Sequence, residues 1–108
     1  MEVERLMTEN GSSTPGLRCE LRRDNGTTTL RVEGELEEVS ALELARACIR
    51  ARDVAGDITL DLGGVAFADG TGTRMIGTMR RAYERAGHHM TIANVPARMR
   101  REVEAADL

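Results

Sequence analysis

Between Ile58 and Ala86 the hydrophobic pattern changes period once, and that change limits the fold more than any other feature of the chain. Ile58, Leu60 and Leu62 alternate with Thr59 and Asp61, the two-residue period of a strand with one buried face. Met75, Ile76, Met79, Ala82, Tyr83 and Ala86 then recur at helical spacing, and Gly87 follows as a C-terminal stop. A strand that feeds an amphipathic helix is half of a βαβ unit. The joining stretch, residues 63–73, reads Gly-Gly-Val-Ala-Phe-Ala-Asp-Gly-Thr-Gly-Thr, a strand-to-helix turn with an acid and a hydroxyl at the helix mouth. Helix N-termini expose unpaired N–H groups and partial positive charge, so Asp69 and Thr71 are the first candidate functional residues.

The rest of the chain extends this unit in both directions. Leu17, Cys19 and Leu21 alternate with Arg18, Glu20 and Arg22. Asp24-Asn25-Gly26 is a tight-turn signal, and Leu30, Val32 and Gly34 then alternate with Thr29, Arg31 and Glu33, completing a β-hairpin. Ser40 and Glu43 have the spacing of a capping box. Ala41, Leu44, Ala45, Cys48 and Ile49 make the inner face of the helix that follows, with Glu43, Arg46 and Arg50 outward and Gly56 beyond its end. Met90 and Ile92 mark a further strand. A last helix is expected to start at Asn94-Val95-Pro96, with Val95, Met99, Val103 and Ala106 inward.

The expected order is β-β-α-β-α-β-α. Strands joined through helices run parallel by right-handed crossovers, so the sheet is mixed: one antiparallel hairpin strand, then three parallel strands. Because every strand alternates in polarity, the helices are expected mainly on one face of the sheet. Residues 1–16, poor in apolar pattern, are expected to form a flexible tail with a short helical turn around Val3 to Met7. Residues 17–108 form the single folded domain.

Composition narrows the function. The 108 residues carry 15 basic and 18 acidic side chains, a net charge of −3, with no basic stripe and only 2% aromatic residues. Nucleic-acid binding has no support in that pattern. No signal peptide or membrane span is read, which points to a cytoplasmic protein with no membrane partner. Cys19 and Cys48 fall at apolar positions and read as buried structural thiols. The chain contains no Lys and no phosphate-loop pattern, so its glycines read as turn formers and no cofactor is expected. His88 and His89 are adjacent at a strand start, where neighbouring side chains point to opposite faces and cannot chelate one ion, and no metal site is expected. No nucleophile, base and acid fall into a catalytic arrangement, and an enzyme is not expected.

Several segments, in order, resemble the STAS domain, and in particular the single-domain bacterial anti-sigma factor antagonists. Leu30-Arg31-Val32-Glu33-Gly34-Glu35-Leu36-Glu37 resembles the family's L-x-V-x-G-E-L-D strand. Residues 58–69 resemble I-x-L-D-L-S-x-V-x-F-x-D, and Gly72 matches the glycine of the following D-S-S/T-G turn. Residues 98–108 resemble the closing helix.

The resemblance implies a non-enzymatic protein-interaction module. Such proteins bind an anti-sigma factor, often a serine kinase of the histidine-kinase-like ATPase type, and so free a sigma factor. Phosphorylation of the serine after the turn's Asp reverses the binding. Carried over by position, that Asp is Asp69, and Gly70, which has no hydroxyl, holds the acceptor's place. Thr71 matches the next family residue and is the alternative phosphoacceptor, while Thr73 stands where the family usually has an apolar residue. The implied partner surface is Glu35, Glu37 and Glu38 together with Asp69, Gly70, Thr71, Thr73 and Arg74. The expected function is therefore an antagonist without the usual serine switch. The alternative is a divergent STAS scaffold or a sensor of a small ligand or nucleotide, and self-association stays open.

Overall fold

Chain order and sheet order coincide in this fold. In the computed structural model, which describes residues 2–4 and 16–105, five strands lie side by side: β1 (Glu2–Glu4), β2 (Leu17–Asp24), β3 (Thr27–Leu36), β4 (Ile58–Ala68) and β5 (Met90–Ala93). The β1–β2 and β2–β3 pairs are antiparallel, and β3–β4 and β4–β5 are parallel. Helix α1 (Glu38–Ala55) crosses from β3 to β4, and α2 (Gly70–Arg85) crosses from β4 to β5. A 3₁₀ turn (Ala97–Met99) and the short α3 (Arg100–Ala105) close the chain.

The mixed sheet with one helical face follows from the period of the strands. Leu17, Cys19, Leu21, Leu30, Val32, Ile58, Leu60, Leu62 and Met90 are all buried, while the residues between them are exposed or half-buried. Leu44 and Cys48 of α1 and Ile76, Met79 and Tyr83 of α2 complete the core. Helix α3 has six residues, too few to persist alone. Its Val103 and the preceding Met99 are buried, and each contributes about 1.5–3 kcal/mol of apolar burial.

Five expectations are corrected. Residues Glu2–Glu4 form a strand, paired with Leu21 to Arg23 in register Glu2↔Arg23 and Glu4↔Leu21, where a helical turn was expected. The remainder of the expected tail, residues 5–15, lies outside the described residues. Strand β4 runs on through Gly63, Gly64, Val65, Ala66 and Phe67, which the sequence assigns to a turn. The β3–β4 register slips between Arg31 and Glu33 and again between Gly34 and Glu35. Gly64 permits the close pairing there, since a Cβ on it would lie 2.6 Å from Glu33 Cγ.

Helix α1 starts at Glu38, earlier than its expected cap, so Ser40 is inside the first turn. The box is reversed: the Glu37 N–H donates to Ser40 Oγ at 3.0 Å, and the Ser40 hydroxyl donates to the Glu35 carbonyl at 2.9 Å. The buried face is also rotated. Glu43 is buried and Ile49 is exposed, and small Ser40, Ala47 and Ala51 are buried on the inner side of α1. The last helix starts later than expected. Pro96 is extended (φ −59°, ψ 145°), and the 3₁₀ turn begins after it. Met99 and Val103 are buried as read, and Ala106 lies outside the described residues.

His88 and His89 also stand just before β5, in the loop that leaves α2. There the Asp57 carboxylate accepts from the His89 N–H at 3.0 Å, and His88 Nδ1 lies 3.4 Å from it. The His89 N–H bond, ahead of the charges and hydrogen bond of the two histidines, holds the Asp57 carboxyl below its usual range.

Candidate protein-docking site

At one end of the sheet, the C-terminal ends of β3 and β4 deliver the chain into α1 and α2, and a single carboxylate joins the two helix starts. Asp69 has extended backbone and caps α2: its Oδ1 accepts from the Gly72 N–H at 2.8 Å. Its Oδ2 accepts from the Glu38 N–H, in the first turn of α1, at 3.2 Å. Its own N–H donates to the Leu36 carbonyl at 3.1 Å. One residue therefore supplies a negative charge to two helix N-termini, where it is stabilised by the N–H groups left free there.

The glycines of this turn have different reasons to exist. A Cβ on Gly72 would lie 2.4 Å from the Leu36 carbonyl oxygen, inside any real contact. Gly72 is thus where the start of α2 presses against the end of β3. A Cβ on Gly70 would meet nothing nearer than the Arg74 guanidinium, at 3.5 Å. Gly70 is exposed, and its position has room for a side chain.

Thr71 is half-buried, with its hydroxyl accepting from Arg74 Nη2 at 3.4 Å, and Arg74 is exposed on the first turns of α2. Glu35 is exposed at the end of β3, and Glu37, half-buried, caps α1. Glu35, Glu37, Asp69, Gly70, Thr71 and Arg74 are therefore grouped at this one end of the fold.

Thr73 does not belong with the exposed set. It is 2% exposed, and its hydroxyl lies within hydrogen-bonding distance of the Asp69 carbonyl (3.0 Å) and of Glu102 Oε2 (3.1 Å). The reason is its place on the inward side of α2, facing α3. Thr73 thus ties the last helix to the site instead of presenting a contact. Gly70, Thr73, Arg74, Glu102 and Ala105 line a shallow pocket of about 280 Å³ beside the turn. Glu102 has no sequence signal that would pair it with a residue 29 positions away. The Asp69–Gly72 cap, by contrast, is local.

The thiols take no part in this surface. Burial, and then the nearby Glu43 carboxylate, push the Cys19 thiol up to about 12, and burial pushes the Cys48 thiol up as well. Both stay protonated and unreactive at neutral pH.

A family model described as "Mlab, STAS domain" matches residues 19–108. No curated protein matches the chain by sequence. Among solved structures, an anti-sigma factor antagonist from Mycobacterium paratuberculosis superimposes with a TM-score of 0.71 at 20% identity, covering 88% of this chain and 82% of the other. The anti-sigma factor antagonist SpoIIAA in its unphosphorylated form gives a TM-score of 0.62 at 18% identity, with 80% and 81% covered. Part of the murine Solute Carrier 26 family member A9 anion transporter gives 0.66 at 18% identity, covering 78% of this chain, which spans only 14% of the transporter's length. The same fold thus occurs in chains of about this length and as a small part of a much longer one. With the family match running from β2 through the last helix, the chain belongs to the STAS domain family.

Proposed function

We propose that this STAS domain is an anti-sigma factor antagonist, a non-enzymatic module that binds an anti-sigma factor and so frees a sigma factor for transcription. The observation that carries the reading is the two-helix end of the sheet. There Asp69 joins the starts of α1 and α2, and Gly70, Thr71 and Arg74 stand beside the acidic Glu35 and Glu37. The partner is a kinase-type anti-sigma factor in this reading, and Gly70 makes binding independent of the serine switch. A phosphoryl group would add about −1.5 to −2 charge beside Asp69. Glycine has no oxygen to accept it, so the antagonist stays competent to bind. The place of action is the cytoplasm, where sigma factors work. No helix among the described residues is long and apolar enough to cross a membrane.

The test is affinity capture from the source organism with and without ATP. The expected result is recovery of an anti-sigma factor in both conditions, with the sigma factor left unbound. Asp69→Asn keeps one capping oxygen but loses the charge and the acceptor facing the Glu38 N–H, so it should melt somewhat below the parent and, at a temperature where it is still folded, capture less partner. In Gly70→Ser, ATP should now release the partner as phosphate appears on the new hydroxyl. Failure to capture any anti-sigma factor would sink the reading, and phosphate on Thr71 of the parent protein would sink its unswitched form.

The pocket lined by Gly70, Thr73, Arg74, Glu102 and Ala105 favours a second reading, a STAS sensor of a small ligand. A thermal shift with a nucleotide, abolished by Arg74→Ala and accompanied by no captured protein, would select it.

A further inference from the structure

Helix α1 carries a line of apolar side chains left exposed among the described residues. Val39, Leu42 and Ile49 are 71%, 55% and 41% exposed. Their spacings of three and seven residues place them on one side of the helix, and at 1.5 Å per residue the line runs about 15 Å. Arg46 stands between Leu42 and Ile49, its guanidinium held 2.9 Å from Glu43 Oε1. Single exposed aliphatic residues are ordinary, but three of them along one side of a helix, interrupted only by Arg46, make an apolar strip.

The charges around the strip are not balanced within the fold. Several carboxylates of the fold have cationic neighbours: Glu20 with Arg22, Glu33 and Asp61 with Arg31, Glu43 with Arg46. Glu35, Glu37 and Glu38, at the N-terminal end of the strip, form no ion pair among the described residues. Three carboxylates with no cationic side chain beside them repel an anionic lipid surface and attract a cationic segment.

We propose that this face of α1 docks an amphipathic helix of a partner protein. The helix lays aliphatic residues over Val39, Leu42 and Ile49, and places Arg or Lys over Glu35, Glu37 and Glu38. A segment of about three turns matches the length of the strip. The surface begins beside the Asp69 turn and shares Glu35 and Glu37 with it, but its apolar anchors Val39, Leu42 and Ile49 all lie on α1. It stands whether or not an anti-sigma factor binds at the turn.

The probe is a synthetic Leu/Arg amphipathic peptide of about 12 residues, titrated into the ¹⁵N-labelled full chain, with a scrambled peptide of equal composition as control. Amide shifts centred on Val39, Leu42 and Ile49 are expected with the amphipathic peptide only. Leu42→Asp and, separately, Val39→Asp should each weaken binding about tenfold or more without shifting the melting temperature. Glu37→Gln with Glu38→Gln should weaken it and reduce its sensitivity to salt. Equal shifts from the scrambled peptide, or shifts centred on the Asp69 turn, would overturn the proposal. So would concentration-dependent self-association through Leu42, which would make a second copy the occupant. Leu42-dependent binding to phosphatidylglycerol vesicles would overturn it too, in favour of a lipid surface.

Discussion

A side chain added at Gly72 would drive into the Leu36 carbonyl, while one added at Gly70 would rest at contact distance from Arg74. The two glycines look alike in the sequence because a letter carries no information about what stands opposite it. Gly72→Ala is expected to cost about 1–3 kcal/mol of unfolding free energy, as overpacking against backbone does. Gly70→Ser should stay within about 0.5 kcal/mol of the parent, since it is an exposed substitution. Urea denaturation of the two variants side by side checks both, and equal midpoints would refute the distinction. At the same scale, the Asp69 cap on the Gly72 N–H is a local bond three residues long, of the kind Asp commonly makes at a helix start. Its second bond, to the Glu38 N–H, was not legible in the sequence, because the partner lies on another helix.

Helix α1 shows why periodicity finds an element but misplaces its face. Ala41, Leu44, Ala45, Cys48 and Ile49 are the strongest hydrophobic set, yet Ile49 is exposed and Glu43 buried. Alanine and serine are small and mark a helix face more weakly than Leu or Ile does. The sequence therefore marks part of the buried side of the helix only weakly. The α1–α2 contact was equally invisible: the buried Tyr83 hydroxyl donates to the Cys48 carbonyl across the two helices. Burial, and next the neighbouring Cys48, raise the Tyr83 phenol above its ordinary range, so it remains a donor at any working pH. Tyr83→Phe keeps the ring in place and loses this bond, an expected cost of about 1 kcal/mol. Tyr83→Ala also leaves a cavity and should cost about 3–5 kcal/mol. Thermal unfolding of both variants measures the difference.

Across the whole molecule, one face of the sheet carries the helices and the other carries a lattice of charges. Arg31 donates to Asp61 Oδ2 at 3.1 Å and lies 3.4 Å from Glu33, while Asn94 donates to Asp61 Oδ1 at 3.0 Å. Partial burial pushes the Asp61 carboxyl up, but the Gly63 N–H, the Asn94 amide and Arg31 together outweigh it and hold it below the usual carboxylate range. A carboxyl depressed in the folded state stabilises the fold above its unfolded value of about 3.9, and that stability is lost as pH falls through the lower, folded value. Urea midpoints should therefore fall on acidification below about pH 4. In Asp61→Asn the fall should be shallower and start from a lower midpoint, and an unchanged acid slope would contradict this account.

The sequence by itself determined β2 to β5, the existence of the three helices and the mixed sheet, and it marked the Asp69 turn as a candidate. These depend on period and on caps a few residues long, and such local chemistry can be read along the chain. Tertiary structure decided the rest. It extended β4 past two glycines, because β3 offered backbone to pair with. It turned Ser40 and Glu43 inward and Ile49 outward, with small Ala47 and Ala51 on the buried side of α1. It buried Thr73 under Glu102, because α3 folds back against α2. Each of these outcomes rests on a neighbour distant in sequence, and that neighbour's distance and direction exist only once the chain has folded.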